Sequence, residues 1–281
     1  MYDVLIIGSG PAGISAAIYA KRRNLSVLVL SNGNGALGKT KHIENYYGFP
    51  EGISGKDLYE NGIKQAQNLG VELLEDEVVA LEYMQNFEIE TVNSHYKAKS
   101  VILATGTNRK AANIKGINEY EGKGVSYCAI CDAFFYRGKD VVVLGSGNYA
   151  IHEMEALKPV VNSVTILTNG EQMVENRELE IEVTSKKIRE FRGDTTIQEV
   201  EFEDNTKMPI SGVFVAQGTA SSNDLARKIG ARIENNHIVV DENMQTTVKG
   251  LYACGDCTGG LLQISKAVYE GALAGLAVLK S

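Results

Sequence analysis

A run of apolar residues, Val4 to Ile7, leads directly into Gly8-Ser9-Gly10-Pro11-Ala12-Gly13. The run suits a buried parallel strand, and Pro11 to Arg23 behind the loop has helical spacing. Ser26 to Leu30 supplies the next strand, which completes a β-α-β unit. In such a loop the first glycine makes the tight turn. The second lets a pyrophosphate approach the backbone, and the third allows close helix–strand packing. The helix start then offers N–H groups to phosphate. The alternative is a packing turn in an unrelated α/β sheet, and the strand-then-helix flanks argue against it. A second pattern of the same kind begins at Asp140. Val141 to Leu144 is its strand and Gly145-Ser146-Gly147-Asn148-Tyr149-Ala150 its loop. Asn148 to Leu157 is its helix, which Pro159 stops, and Ser163 to Leu167 the following strand.

Between the two patterns the spacing predicts an amphipathic helix over Gly55 to Leu69. Strands are expected at Val71–Leu74, Val78–Met84, Phe87–Val92 and Lys99–Leu103, with Ala104-Thr105-Gly106 ending the first half. β-like segments run through Thr195–Phe202, and Gly212 to Gly218 echoes the ending at Gly106. Gly250 to Asp256 reads as a strand ending in Gly-Asp, followed by an alanine-rich helix from Leu261 to Lys280. The fold class is therefore α/β, with two Rossmann-like domains of the three-layer ββα kind, the second inserted in the first. The inserted domain spans residues 111–211, and the outer one residues 1–110 plus 212–281. An apolar fraction of 44% is ample for a buried core. No apolar run approaches the ~18 residues of a membrane span. The first residues read as a strand rather than a signal peptide, so a cytoplasmic location is expected. A net charge of −7 argues against nucleic acid as the main partner.

Cys128-Ala129-Ile130-Cys131-Asp132 lies between the two glycine loops. In a reducing compartment, four cysteines read as catalytic or metal-binding rather than as structural disulfides. Two cysteines separated by two residues can close a disulfide at a helix start, where the dipole lowers a thiol pKa. Beside a nucleotide-binding fold, the motif says that electrons pass from a bound cofactor to a dithiol. Cys254-Gly255-Asp256-Cys257 is a second such spacing, which offers half a zinc site on paper. It straddles the Gly-Asp motif, so Cys254 and Cys257 read as small buried residues and no metal is expected.

Taken in order, several pieces carry a resemblance. They are Gly8–Gly13, Gly35-Ala36-Leu37, Ile43 to Pro50, Ala104-Thr105-Gly106 and Cys128–Asp132 with Phe134-Phe135-Tyr136-Arg137. Gly145–Ala150 and Gly255-Asp256 followed by Gln263 complete the set. Along essentially its whole length the chain resembles the low-molecular-weight thioredoxin reductase family of flavoproteins. The resemblance implies FAD, bound by Gly8, Ser9, Gly10, Pro11, Ala12 and Gly13 and by Ala104, Thr105 and Gly106. It places Asn45, Gln263 and Ile264 near the isoalloxazine ring, and Gly255 and Asp256 at the ribityl and phosphate part. The end of the second strand departs from the usual dinucleotide pattern, with Leu30-Ser31 where a ribose-binding acid is common. By the same resemblance, Cys131 of the redox pair is expected to face the flavin, Cys128 to attack the disulfide of the partner thioredoxin, and Asp132 to carry the proton. A homodimer is also implied; hinges are expected near Asn108–Lys115 and Met208–Gly212, because a dithiol that must meet both a buried flavin and an external disulfide needs domain rotation.

The second glycine loop decides which electron donor is expected. NADPH-dependent relatives carry an arginine-bearing segment after the next strand, whose planar forks grip a 2′-phosphate. Here that strand continues as Thr168-Asn169-Gly170-Glu171-Gln172, with no arginine before Arg177, and Glu171 repels phosphate. Thr168 and Asn169 offer no carboxylate to the ribose of NADH, and Tyr149 stands where a small residue usually admits the pyrophosphate. The likeness thus narrows to the ferredoxin-dependent flavin thioredoxin reductases, and ferredoxin is the expected donor. An NAD(P)H-dependent reductase and a non-catalytic flavoprotein redox sensor stay open as alternatives.

Overall fold

The structure, a computed structural model, describes residues 1–33, 35–106, 114–174 and 182–278. The chain divides into two compact units, Met1–Asn108 with Ser221–Ser281, and Arg109–Ala220. Each is an α/β layer structure, as the paired β-α-β patterns predict.

The first unit opens with β1 (Tyr2–Ile7), α1 (Pro11–Arg22) and β2 (Val27–Ser31). Their apolar residues form one continuous core, in which Val4, Ile6, Val27 and Val29 are buried. α2 (Gly55–Asn68) is capped by Ser54, whose hydroxyl accepts the Asp57 N–H. β3 (Glu72–Glu75), β4 (Val78–Tyr83), β5 (Phe87–Thr91) and β6 (His95–Leu103) follow. β6 begins before the expected Lys99, because its first residues pair antiparallel with β5. Its later residues pair in parallel with β1.

The second unit carries β7 (Val125–Ser126), the single-turn α3 (Ala129–Asp132), β8 (Asp140–Leu144), α4 (Asn148–Leu157) and β9 (Ser163–Leu167). β10 (Glu182–Thr184), β11 (Ile188–Gly193), β12 (Ile197–Phe202), β13 (Lys207–Pro209) and β14 (Gly212–Val215) complete it. Five strands form a sheet in the order β10-β9-β8-β14-β7. All of its pairings are parallel. β11, β12 and β13 make a separate antiparallel sheet. The expectation that the outer domain resumes at residue 212 is corrected here. β14 pairs with β7 and β8, so the unit runs on to Ala220. Gly212 to Val215 does echo the strand before Gly106, but as the equivalent strand of the second sheet. The segment Met208–Gly212 therefore lies within one unit, while most of the other expected hinge, residues 108–113, falls outside the described residues.

The chain returns to the first unit with α5 (Ser222–Lys228), β15 (Ile233–Glu234), β16 (His237–Ile238), β17 (Leu251–Ala253) and α6 (Ile264–Ala277). β17 pairs in parallel with the C-terminal half of β6, giving a seven-stranded sheet. Its other strands follow the order β3-β2-β1-β6-β5-β4. α6 crosses α1 at very close range, since a Cβ on Gly271 would overlap the Ala12 carbonyl and one on Gly275 the Ala16 carbonyl. Among the described residues, no helix is long and apolar enough to cross a membrane.

Candidate active site

In the first unit the glycine loop is built by exclusion. Gly8 (φ +111°) abuts Ala104 so closely that a Cβ would overlap its carbonyl oxygen. A Cβ on Gly13 would overlap the Gly8 carbonyl oxygen and come within 3.4 Å of the Ala104 side chain. Gly10 differs: a Cβ there meets nothing within 4 Å, so the middle of the loop faces open space. Gly10 is also the N-cap of α1, with no side-chain cap and no acid in the first turn, and Pro11 is the first helical residue. A helix start left uncapped beside open space is a ready anion site. The Ser9 hydroxyl is shared with the Tyr59 phenol at 2.9 Å.

The remaining expected residues gather round this loop in part. Gly255 (φ +83°) would bring a Cβ within 2.9 Å of the Ala12 methyl, so the Gly-Asp turn is seated on α1. Burial raises the Asp256 carboxyl above its ordinary value, and the Lys266 ammonium opposes that rise. The Glu270 carboxylate accepts the Gly255 N–H at 2.8 Å, while Lys266 donates to the Gly255 carbonyl at 2.8 Å. An ion pair on α6 thus clamps both backbone groups of that glycine. The Asn45 amide donates to the Gln263 side-chain oxygen at 2.9 Å. Gln263 caps the start of α6, which opens at Ile264 without a side-chain cap. Thr105 is held by Ser222, a fully buried residue that sequence reasoning missed. The Ser222 N–H donates to the Thr105 hydroxyl at 2.8 Å. Gly106 has a φ of +81° with nothing within 4 Å of a Cβ. Tyr46 stacks on Phe49 at 6.0 Å, whereas Tyr47 is exposed.

In the second unit Cys128 and Cys131 form a disulfide with a Cα–Cα distance of 5.3 Å. Cys128 is the N-cap of α3, and its sulfur accepts the Cys131 N–H at 3.2 Å. The Ser126 hydroxyl accepts the Cys128 N–H at 3.1 Å and donates to the Asp132 carboxylate at 2.7 Å. Asp132 is therefore tied to the redox pair through one serine. Glu153, also missed in the sequence, sends a carboxylate oxygen to the Ala129 N–H at 2.6 Å, and its side chain is 1% exposed. Its signal was a lone acid on the buried stripe of α4, among Tyr149, Ala150, Met154 and Leu157. Ile130, Phe134 and Phe135 are exposed around the disulfide. The other two cysteines, Cys254 and Cys257, are free thiols buried in the first unit.

The second glycine loop repeats the first with its openings closed. A Cβ on Gly145 would overlap the Ala216 carbonyl, and one on Gly147 would lie 3.2 Å from the Gly218 carbonyl oxygen. The Ser146 hydroxyl donates to the Glu171 carboxylate at 2.6 Å, and the Val174 N–H donates to the Ser146 carbonyl at 3.0 Å. The Asn169 side-chain oxygen is occupied by the Ile188 N–H at 2.7 Å. Tyr149, expected where a small residue usually admits the pyrophosphate, is 1% exposed. Arg177 lies outside the described residues.

Comparison with known proteins agrees with this geometry. The profile of the pyridine nucleotide-disulphide oxidoreductase family matches residues 2–271. Over 294 residues the chain is 33% identical to a thioredoxin reductase of Listeria innocua, covering 98% of this chain and 92% of the relative. The crystal structure of the atypical thioredoxin reductase TRi from Desulfovibrio vulgaris Hildenborough superposes with a TM-score of 0.95 at 38% identity, covering 99% of this chain and 97% of that one. A ferredoxin-flavin thioredoxin reductase from Clostridium acetobutylicum gives a TM-score of 0.73 at 34% identity, with 99% and 96% covered. Family profile, relatives and fold agree: the chain belongs to the low-molecular-weight thioredoxin reductases, within the pyridine nucleotide-disulphide oxidoreductase family.

Proposed function

We propose that this flavin disulfide oxidoreductase takes its electrons from reduced ferredoxin and delivers them through Cys128–Cys131 to thioredoxin. FAD supplies a carrier that can accept single electrons and release a pair. The first unit suits that group: Gly8, Gly10 and Gly13 leave room for a pyrophosphate at the uncapped start of α1. Ser9, Pro11, Ala12, Ala104, Thr105 and Gly106 line the same loop, and Asp256 offers a half-buried carboxyl. Asn45, Gln263 and Ile264 sit at the second uncapped start, that of α6.

The observation that carries the choice of donor is the Glu171 carboxylate bonded to Ser146 of the second glycine loop. An internal anion on that loop repels the pyrophosphate of a pyridine nucleotide and competes for the same hydroxyl. The protein retains the Rossmann framework as a carrier for the dithiol. Cys128 attacks the thioredoxin disulfide, Cys131 resolves the mixed disulfide, and Asp132, held by Ser126, moves the proton between them. Exposed Phe134 and Phe135 give the partner an apolar landing. The reading includes a homodimer, as the resemblance implies, and the cytoplasmic location expected from the first residues of the sequence.

A second reading, an NAD(P)H-dependent reductase, is favoured by Lys187. Its stem lies against Gly170, where a Cβ would come within 3.2 Å, and this puts a cation beside the turn after β9. Anaerobic titration of the yellow protein separates the two, with flavin absorbance as the readout. No bleaching by NADPH or NADH, and bleaching by photoreduced ferredoxin, is the expected result. Prompt bleaching by either nucleotide overturns the ferredoxin reading.

A further inference from the structure

Gly255 stands at φ +83° and ψ −151°, a region of backbone space essentially closed to every residue but glycine. An untethered glycine would not stay there, because it reaches many other conformations at little cost. This one is held by three side chains. The Glu270 carboxylate accepts its N–H at 2.8 Å. Its carbonyl accepts the Thr258 N–H at 3.1 Å and a proton of the Lys266 ammonium at 2.8 Å. The Thr258 hydroxyl lies 2.7 Å from the same carbonyl and 2.9 Å from Glu270, and its one proton can serve either.

Lys266 runs against the local rule for a helix start. It is the third residue of α6, in a first turn that holds no acid, so its charge opposes the helix dipole. Its side chain is only 15% exposed, and that of Glu270 12%. The ammonium has three protons, and three acceptors meet them. These are the Gly255 carbonyl, the Thr258 hydroxyl at 2.9 Å and Glu270 at 3.1 Å. α6 is anchored without this pair. Gly271 and Gly275 press it onto α1, the Ser15 hydroxyl donates to the Val268 carbonyl at 2.7 Å, and Arg23 donates to the Val278 carbonyl at 2.7 Å. The pair therefore acts on the turn that precedes the helix.

We propose that Lys266 and Glu270 are positioning residues for the flavin: they lock Gly255 in its glycine-only conformation, so that Asp256 is already set in place when the cofactor binds. Fixing a binding turn in advance strengthens binding, because the cost of ordering it is met during folding. The proposal rests on the reading that Asp256 and the first glycine loop hold FAD.

The test follows release of FAD from the holoenzyme, by the rise in flavin fluorescence after dilution, and needs no turnover. Lys266→Met removes the donor and keeps the stem. Lys266→Met/Glu270→Gln also removes the charge left behind, while its amide oxygen still accepts the Gly255 N–H. Both should release FAD about tenfold faster than wild type, roughly the worth of one hydrogen bond to a charged group. Their far-UV circular dichroism should match wild type. A role in stability alone would lower the melting temperature of the FAD-stripped chain and leave the release rate unchanged. A wild-type release rate in either folded variant thus overturns the proposal. Asp256→Ala checks the premise. Release at the wild-type rate from that variant refutes the placement of FAD, and the proposal with it. Fast release there, with wild-type release from the Lys266 variants, refutes the proposal alone. If neither Lys266 variant folds, amide exchange in the wild type decides. The Gly255 N–H should be protected with FAD stripped as well as with FAD bound. Exchange that slows only once FAD binds overturns the proposal.

Discussion

Burial pushes the Cys257 thiol up to about 12, and it pushes the Cys254 thiol well above its ordinary value. The Cys257 S–H is directed at the Cys254 carbonyl at 3.3 Å. Such thiols are packing atoms rather than nucleophiles, since the thiolate is the reactive form. In the reduced, folded protein at pH 8, iodoacetamide should therefore label Cys128 and Cys131 and leave Cys254 and Cys257 unlabelled until denaturant is added. Labelling of the second pair in the folded state would show that they are accessible. The sign of the pH effect follows from the same burial. The folded state holds the Cys257 proton more tightly than the unfolded chain, so its contribution to stability is complete below pH 9.0. It is lost as pH rises toward about 12. At this scale the sequence revealed the residues whose motifs are local, Cys128, Cys131 and Asp132 among them. Ser126, Ser222 and Glu153 stayed hidden because their partners are set by packing. Ser222 meets Thr105 across a separation of 117 residues, and Glu153 meets Ala129 across 24.

At the scale of elements, periodicity located the strands and helices of both β-α-β units, since a buried strand and a half-buried helix each impose a visible spacing. α4 and β9 occupy the residues the pattern predicts, Asn148–Leu157 and Ser163–Leu167. α5 was missed although Ser221 and Asp224 form a full capping box, a signal short enough to pass as a turn. β14 pairs with β7 and β8 although the outer domain is expected to resume at residue 212, because an apolar strand ending in glycine does not encode its neighbour. The glycines of the first loop separate two effects that are usually confounded. Gly10→Ala places its methyl in open space with an ordinary backbone, so the apoprotein should melt within a few degrees of wild type. FAD retained per chain should nevertheless fall, because the methyl enters the pyrophosphate's approach. Gly13→Ala, whose methyl overlaps the Gly8 carbonyl, should instead destabilise the apoprotein itself, by on the order of 1–3 kcal/mol. Absorbance ratios and thermal unfolding of apo and holo forms distinguish the two. Equal melting losses in both variants would show that Gly10 is as confined as Gly13.

For the molecule as a whole, the two glycine loops share a framework and differ in what they leave open. Gly10 faces space, while Gly147 approaches the Gly218 carbonyl and Ser146 already holds a carboxylate. The sequence showed the absence of arginine before Arg177 and the presence of Glu171, but not that Glu171 turns back onto the loop. That contact depends on the path of the chain after β9. It ties the donor question to one unit and the dithiol question to another face of the same unit. The most direct measurement is therefore a complete turnover. Purified protein, thioredoxin and either photoreduced ferredoxin or NADPH would be mixed anaerobically, and new thioredoxin thiols counted. Sustained thiol formation with ferredoxin alone, abolished in Cys128→Ser and Cys131→Ser, is the predicted result. Sustained formation with NADPH, or formation that survives loss of either cysteine, would contradict it.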